Sequence, residues 1–98
     1  MAARIRSTVN GISIDEQSRD DLVSTDSVVV TSIDAATTYN WELSFVPDGS
    51  TAVFSGSSTA VSPGNFIVDV EGPYLIKLTV DAGLVSEDVQ YVRLRALT

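Results

Sequence analysis

An all-β two-layer sandwich of about seven strands is the fold the sequence predicts, on three observations. Apolar residues recur with a period of 2 along most of the chain, the mark of half-buried strands. Turn chemistry interrupts these runs at short intervals. The length, 98 residues, suits one sandwich of that size. Hydrophobic residues at 44% supply a single core, which no disulfide braces because there is no cysteine. The whole chain, 1–98, reads as one domain, with an opening strand region over 1–14 and the sandwich body over 27–94.

Taken in order, Ile5 to Val9 and Ile12 to Ile14 form an opening strand broken at Asn10-Gly11, a strong hairpin turn pair. Asp15 to Leu22 could form one helical turn and is read as a polar connection. Val28, Val29 and Val30 make a β-branched run suited to a central strand. Tyr39, Trp41, Leu43 and Phe45 alternate with Asn40, Glu42 and Ser44, so all four are assigned inward. Ala52 to Phe54 reads as a short strand. Phe66, Val68 and Val70 share one parity, and so do Tyr74, Ile76, Leu78 and Val80. In Val89 to Leu94 the parity changes, with Val89 and Tyr91 on one side and Val92 and Leu94 on the other. A bulge between Tyr91 and Val92 would reconcile them. Pro47-Asp48-Gly49, Ser62-Pro63-Gly64, Glu71-Gly72-Pro73 and Asp81-Ala82-Gly83 supply the turns. The Ser/Thr/Gly-rich loop from Ser55 to Gly64 is expected to be exposed.

Charge narrows the function classes. Thirteen acids against six bases give a formal net charge of −7. A polyphosphate needs a basic face, so nucleic acid is not an expected partner. Nor is insertion into a membrane, since no run approaches the length of a span. The N-terminal residues Met-Ala-Ala-Arg-Ile-Arg lead into no apolar stretch, so no secretory leader is predicted. With no His and no Cys, nucleophile triads and thiolate zinc sites cannot be built. Adjacent carboxylates at Asp15-Glu16, Asp20-Asp21 and Glu87-Asp88 leave a glycosidase-like pair as the enzymatic option. Their placement in connecting segments reads instead as solvated charge. No catalytic residue, cofactor or metal is expected.

The bases are unevenly placed. Arg4, Arg6, Arg93 and Arg95 sit near the two ends, each pair spaced by two. If the first and last strands lie side by side, the four form one basic docking stripe on an acidic domain. The alternative is that they guard terminal strands against edge pairing.

Three features then meet in order. Trp41 stands mid-strand early in the chain. Tyr74 follows a Gly-Pro turn and opens a long strand. Ile76 lies two residues on, with Leu78 beyond it. This order resembles the immunoglobulin-like sandwiches, in which a Trp packs centrally and a corner Tyr begins the penultimate strand. The sequence is more closely similar to the PKD-like (polycystic-kidney-disease-like) modules. The stretch runs from Tyr39-Asn-Trp-Glu-Leu through Pro47-Asp-Gly-Ser, Ala52-Val-Phe-Ser-Gly and Phe66-Ile-Val-Asp-Val-Glu-Gly-Pro-Tyr74 to Leu78-Thr-Val-Asp-Ala-Gly. The resemblance implies an immunoglobulin-like Greek key closed by packing on Trp41, Tyr74, Ile76 and Leu78. The loop before Tyr39, Asp34-Ala-Ala-Thr-Thr, holds one carboxylate, short of the several that calcium takes in many such modules.

What the resemblance implies for function is a non-enzymatic structural or binding module. One setting is a tailed-phage virion, assembled in the host cytoplasm, where many copies decorate the head or join the tail. The partners there would be capsid, tail or other virion proteins, or a host surface. The other setting is an adhesion or spacer module of a bacterial surface or secreted protein.

Overall fold

The computed structural model describes residues 2–97. Among them are eight strands and no helix: β1 (Ile5–Val9), β2 (Ile12–Asp15), β3 (Arg19–Leu22), β4 (Ser27–Ser32), β5 (Tyr39–Phe45), β6 (Asn65–Ile67), β7 (Gly72–Val80) and β8 (Asp88–Ala96). They form two four-stranded sheets, ordered β2-β1-β4-β6 and β3-β8-β7-β5. The first sheet is antiparallel, and in the second only β3 and β8 run parallel.

The period-2 pattern dictates which sides meet. In β7, Tyr74, Ile76, Leu78 and Val80 are fully buried, and in β8 Val92, Leu94 and Ala96 join them. From the first sheet Ile5, Val9, Val28, Val30 and Phe66 close the core from above. Rings run across it. Trp41 meets Phe54 edge-on at 6.4 Å, Phe54 meets Phe66 at 5.7 Å, and Phe66 meets Tyr74 at 5.7 Å. The first two pairs are edge-on and the third is tilted by 34°, and such ring contacts add to what burial alone supplies.

The opening hairpin follows from Asn10-Gly11. Both residues have positive φ, 51° and 79°, the backbone of a two-residue type I′ turn. Val9 therefore opposes Ile12 directly.

Several expectations are corrected. The strands number eight rather than about seven: the opening segment divides into the two arms of a hairpin, and Arg19–Leu22 is a strand and not a polar connection. Its ends fit the sandwich: Leu22 is buried beside Ala96, while Asp20 and Asp21 stay exposed. Acids on a border strand discourage further pairing. Ala52 to Phe54 is no strand. The amides there turn to side chains, Thr51 to Asp69 and Ala52 to Ser50, instead of to a ladder. No bulge separates Tyr91 from Val92, since β8 pairs with β7 in unbroken register. Val89 and Tyr91 simply face outward. The irregularity lies in β5, between Leu43 and Phe45. It turns Phe45 out of the core, 52% exposed, where alternation alone placed it inside.

The Tyr74 hydroxyl ties the segment entering β7 to the core. It accepts hydrogen bonds from the Asp69 and Val70 amides, at 3.2 and 3.1 Å. Its own proton lies between the Val70 carbonyl, 2.9 Å, and Asp69 Oδ1, 3.0 Å. Asp69 also accepts from the Ser50 hydroxyl and the Thr51 amide. The Ser50 bond foremost, then that of Thr51, holds its carboxyl down at about 2. A depressed carboxylate stabilises the fold at pH values above its unfolded pKa, and that contribution is lost as pH falls through the folded one. The urea midpoint should therefore drop between pH of about 4 and about 2, and Asp69→Asn should flatten that limb. An unchanged acid limb in the variant would assign the pH dependence elsewhere.

Arg19 joins the two sheets at their β2/β3 border. Its buried guanidinium donates to the carbonyls of Ser7 and Ile12, at 3.5 and 3.2 Å. Asp21 lies 3.5 Å from its Nε, an ion pair too poorly aligned to be a hydrogen bond.

Candidate docking surface

The four terminal arginines do not form one stripe. β1 lies between β2 and β4 in the first sheet, and β8 lies between β3 and β7 in the second. The outer faces of the two sheets point in opposite directions. Arg4 and Arg6 are also committed. Arg4 contacts Glu16 at 3.2 Å and Asp34 at 3.1 Å, and Arg6 contacts Asp15 at 2.7 Å. The hydrogen bonds that Arg4 donates to Glu16 and Arg6 to Asp15 raise their pKa values further above the usual.

Arg93 and Arg95 stand exposed on the outer face of the second sheet, and the register adds residues that sequence spacing did not bring to them. Across that face Arg95 pairs with Pro73, Arg93 with Leu75, Tyr91 with Lys77 and Val89 with Thr79, and on the far side of β7 Leu75 pairs with Phe45, Lys77 with Glu42 and Thr79 with Asn40. Tyr91 is 51% exposed, and Lys77 Nζ sits 5.7 Å from its ring centre. That is a favourable cation–π distance which leaves the lysine its charge.

The distribution of uncommitted charge sets this face apart. Of the six bases, Arg4, Arg6 and Arg19 are ion-paired. Lys77, Arg93 and Arg95 make no ion pair among the described residues, and all three stand here. The acids are largely engaged. Asp15, Glu16, Asp21 and Asp34 face arginines. Asp26, Asp88 and Glu87 accept the amides of Val23, Ala3 and Gly83. Asp81, buried, accepts from the Ser86 hydroxyl, which foremost lowers its pKa, and from the Thr37 and Thr38 amides. Glu42 lies on the cationic face, and Asp20 and Asp21 lie on β3 at its rim.

The adjacent carboxylate pairs are thus largely structural: Asp15-Glu16 binds Arg6 and Arg4, and Glu87-Asp88 caps amides. Among the described residues no three carboxylates converge as metal ligands would, and Asp34 is turned to Arg4. One surface depression, about 610 Å³, is lined by Arg6, Ser13, Ile14, Asp15 and Gln17 and contains the Arg6–Asp15 pair.

The sequence-predicted core residues Trp41, Tyr74, Ile76 and Leu78 are all buried. The loop from Ser55 to Gly64 is exposed at Ser57 to Thr59 but also covers the border of β5. Ser58 accepts the Trp41 amide at 2.8 Å and Ala60 the indole Nε1–H at 2.9 Å. What sequence reading missed on the candidate face is Lys77, Leu75 and Phe45. The parity of β7 marks Lys77 and Leu75 as outward, but nothing in the order of residues says which strand lies beside them.

Comparisons with family models, curated proteins and solved structures returned no match to this chain.

Proposed function

We propose that this chain is a non-enzymatic docking module, an immunoglobulin-like sandwich of the PKD-like kind, that attaches to a protein assembly through the outer face of β5, β7 and β8. One observation carries the docking reading: the three cations without acid partners collect on that face of a domain whose net charge is −7, beside exposed Tyr91 and Phe45. Aromatic side chains with arginine are the residues that dominate binding at protein interfaces. Opposed charge on the partner would steer encounter and set orientation. The family reading is supported by the corner hydroxyl of Tyr74, by Trp41 at the core and by the parallel pairing of β3 with β8 beside an otherwise antiparallel sheet. The assembly we favour is a tailed-phage particle, head or tail, which is the setting the sequence resemblance implies.

The test compares two variants in the native assembly. Lys77→Glu, Arg93→Glu and Arg95→Glu together should weaken association by roughly 100-fold or more, because opposing like charges costs several kcal/mol. Arg4→Gln with Arg6→Gln should leave it within a few-fold. Circular dichroism checks that both variants fold. Association unaffected by the triple reversal overturns the docking face. Negative-stain images of the co-purifying material should show phage particles, and recovery with the cell envelope instead overturns the virion setting.

A further inference from the structure

We infer that the docking face receives an extended acidic segment of a partner protein, laid along β8 with carboxylates at alternate positions followed by apolar residues. This rests on the docking reading above and specifies its partner. Along its outer side β8 presents Arg95, Arg93, Tyr91 and Val89 in one row. Side chains on one side of a strand repeat every two residues, about 6.6–6.8 Å. The row is therefore two cations and then two apolar groups at equal intervals. A partner in extended conformation repeats its side chains at the same interval. Two carboxylates at positions i and i+2 reach both guanidiniums, and each can be held by paired N–H bonds. Apolar side chains at i+4 and i+6 then fall on Tyr91 and Val89.

The neighbouring strand reinforces this polarity. Leu75 lies beside Arg93, giving the carboxylate–arginine contact a drier flank, and Lys77 lies beside Tyr91. Lower water access strengthens such pairs. A sulfated glycan or a nucleic-acid strand could match the spacing of the arginines but has no use for the apolar half of the row. Either also carries its charge past Glu42 and the rim acids Asp20 and Asp21.

The probe is the peptide acetyl-Glu-Thr-Glu-Thr-Leu-Thr-Val-amide, titrated into the isotope-labelled full chain and followed by NMR. Saturable shifts are expected at Leu75, Lys77, Tyr91 and Arg93. Gln in place of both Glu, or Arg93→Glu with Arg95→Glu in the protein, should weaken binding at least tenfold. The peptide acetyl-Glu-Thr-Leu-Thr-Glu-Thr-Val-amide, of the same composition, cannot set both carboxylates on the adjacent arginines in either chain direction and should bind several-fold less well. No saturable shifts, shifts centred elsewhere, or equal response to the Gln peptide overturns the inference. So does a response to a heparin oligosaccharide at this face without one to the acidic peptide. If the triple reversal abolishes native assembly while the peptide is silent, the partner segment is wrong and the docking face stands. If neither responds, the docking face itself fails.

Discussion

Trp41→Ala should destabilise the domain by about 3–5 kcal/mol, the range for removing a large buried aromatic. Trp41 is only 2% exposed and holds two kinds of structure at once. Its ring begins the run of ring contacts, edge-on to Phe54 and from Phe54 to Phe66, then tilted from Phe66 to Tyr74. Its indole N–H and its backbone N–H both fasten the 57–61 loop, through Ala60 and Ser58. Alanine leaves a cavity beside Phe54 and releases that loop from the indole. A domain of this size has only about 5–15 kcal/mol to lose, so the urea midpoint should fall by roughly 2 M at an ordinary dependence on denaturant. Far-UV circular dichroism reads this without the tryptophan signal. Trp41→Phe keeps most of the apolar area but loses the Ala60 bond, and should lie between the two. An alanine variant with the wild-type midpoint would refute the central role of this residue.

Tyr74→Phe should cost about 1–3 kcal/mol, because it leaves the part-buried Asp69 and Val70 amides without their acceptor and does not merely remove one bond. The ring stays packed on Phe66. What goes is the single oxygen that accepts from the Asp69 and Val70 amides and donates toward the Val70 carbonyl and Asp69. Phenylalanine also removes one of the donors that keep the Asp69 carboxyl at about 2. The acid limb of the stability profile should thus be shallower in this variant and end at a higher pH, while its onset, set by the unfolded chain, stays in place. Equilibrium unfolding across a pH series reads both effects in one experiment. A wild-type profile would mean that the hydroxyl is spectator to the turn.

Tyr74 was legible before any coordinates because its surroundings are local: a Gly-Pro turn before it, and alternation after it. The same holds for Asn10-Gly11, whose two residues are enough to specify the hairpin. Elements that depend on a distant partner were not legible. Arg19–Leu22 carries two aspartates, poor strand formers, and is a strand because β8 lies beside it. Phe45 obeys its strand's alternation until one irregularity near Ser44 shifts the phase, and a shift of one residue exchanges the faces of a strand. The arginines illustrate the limit for the candidate surface. Their spacing of two showed that each pair points one way. That β1 and β8 belong to different sheets, and that Lys77 and Leu75 lie next to Arg93 and Tyr91, is a matter of pairing, which composition does not encode.

The contacts of the first strand have a mechanical meaning. The Ala3 and Ile5 amides bond Asp88 and Gln90, so β1 begins beside the start of β8, whereas β8 ends at Ala96, about 30 Å away along a nine-residue strand. Tension between the two ends of the sandwich therefore pulls β1 and β8 lengthwise in opposite directions. Each is flanked on both sides, β1 by β2 and β4, β8 by β3 and β7. The ladder bonds lie across the strands, so they meet the load in shear and share it, instead of opening one after another from an end. A domain so wired transmits force along its length before it yields.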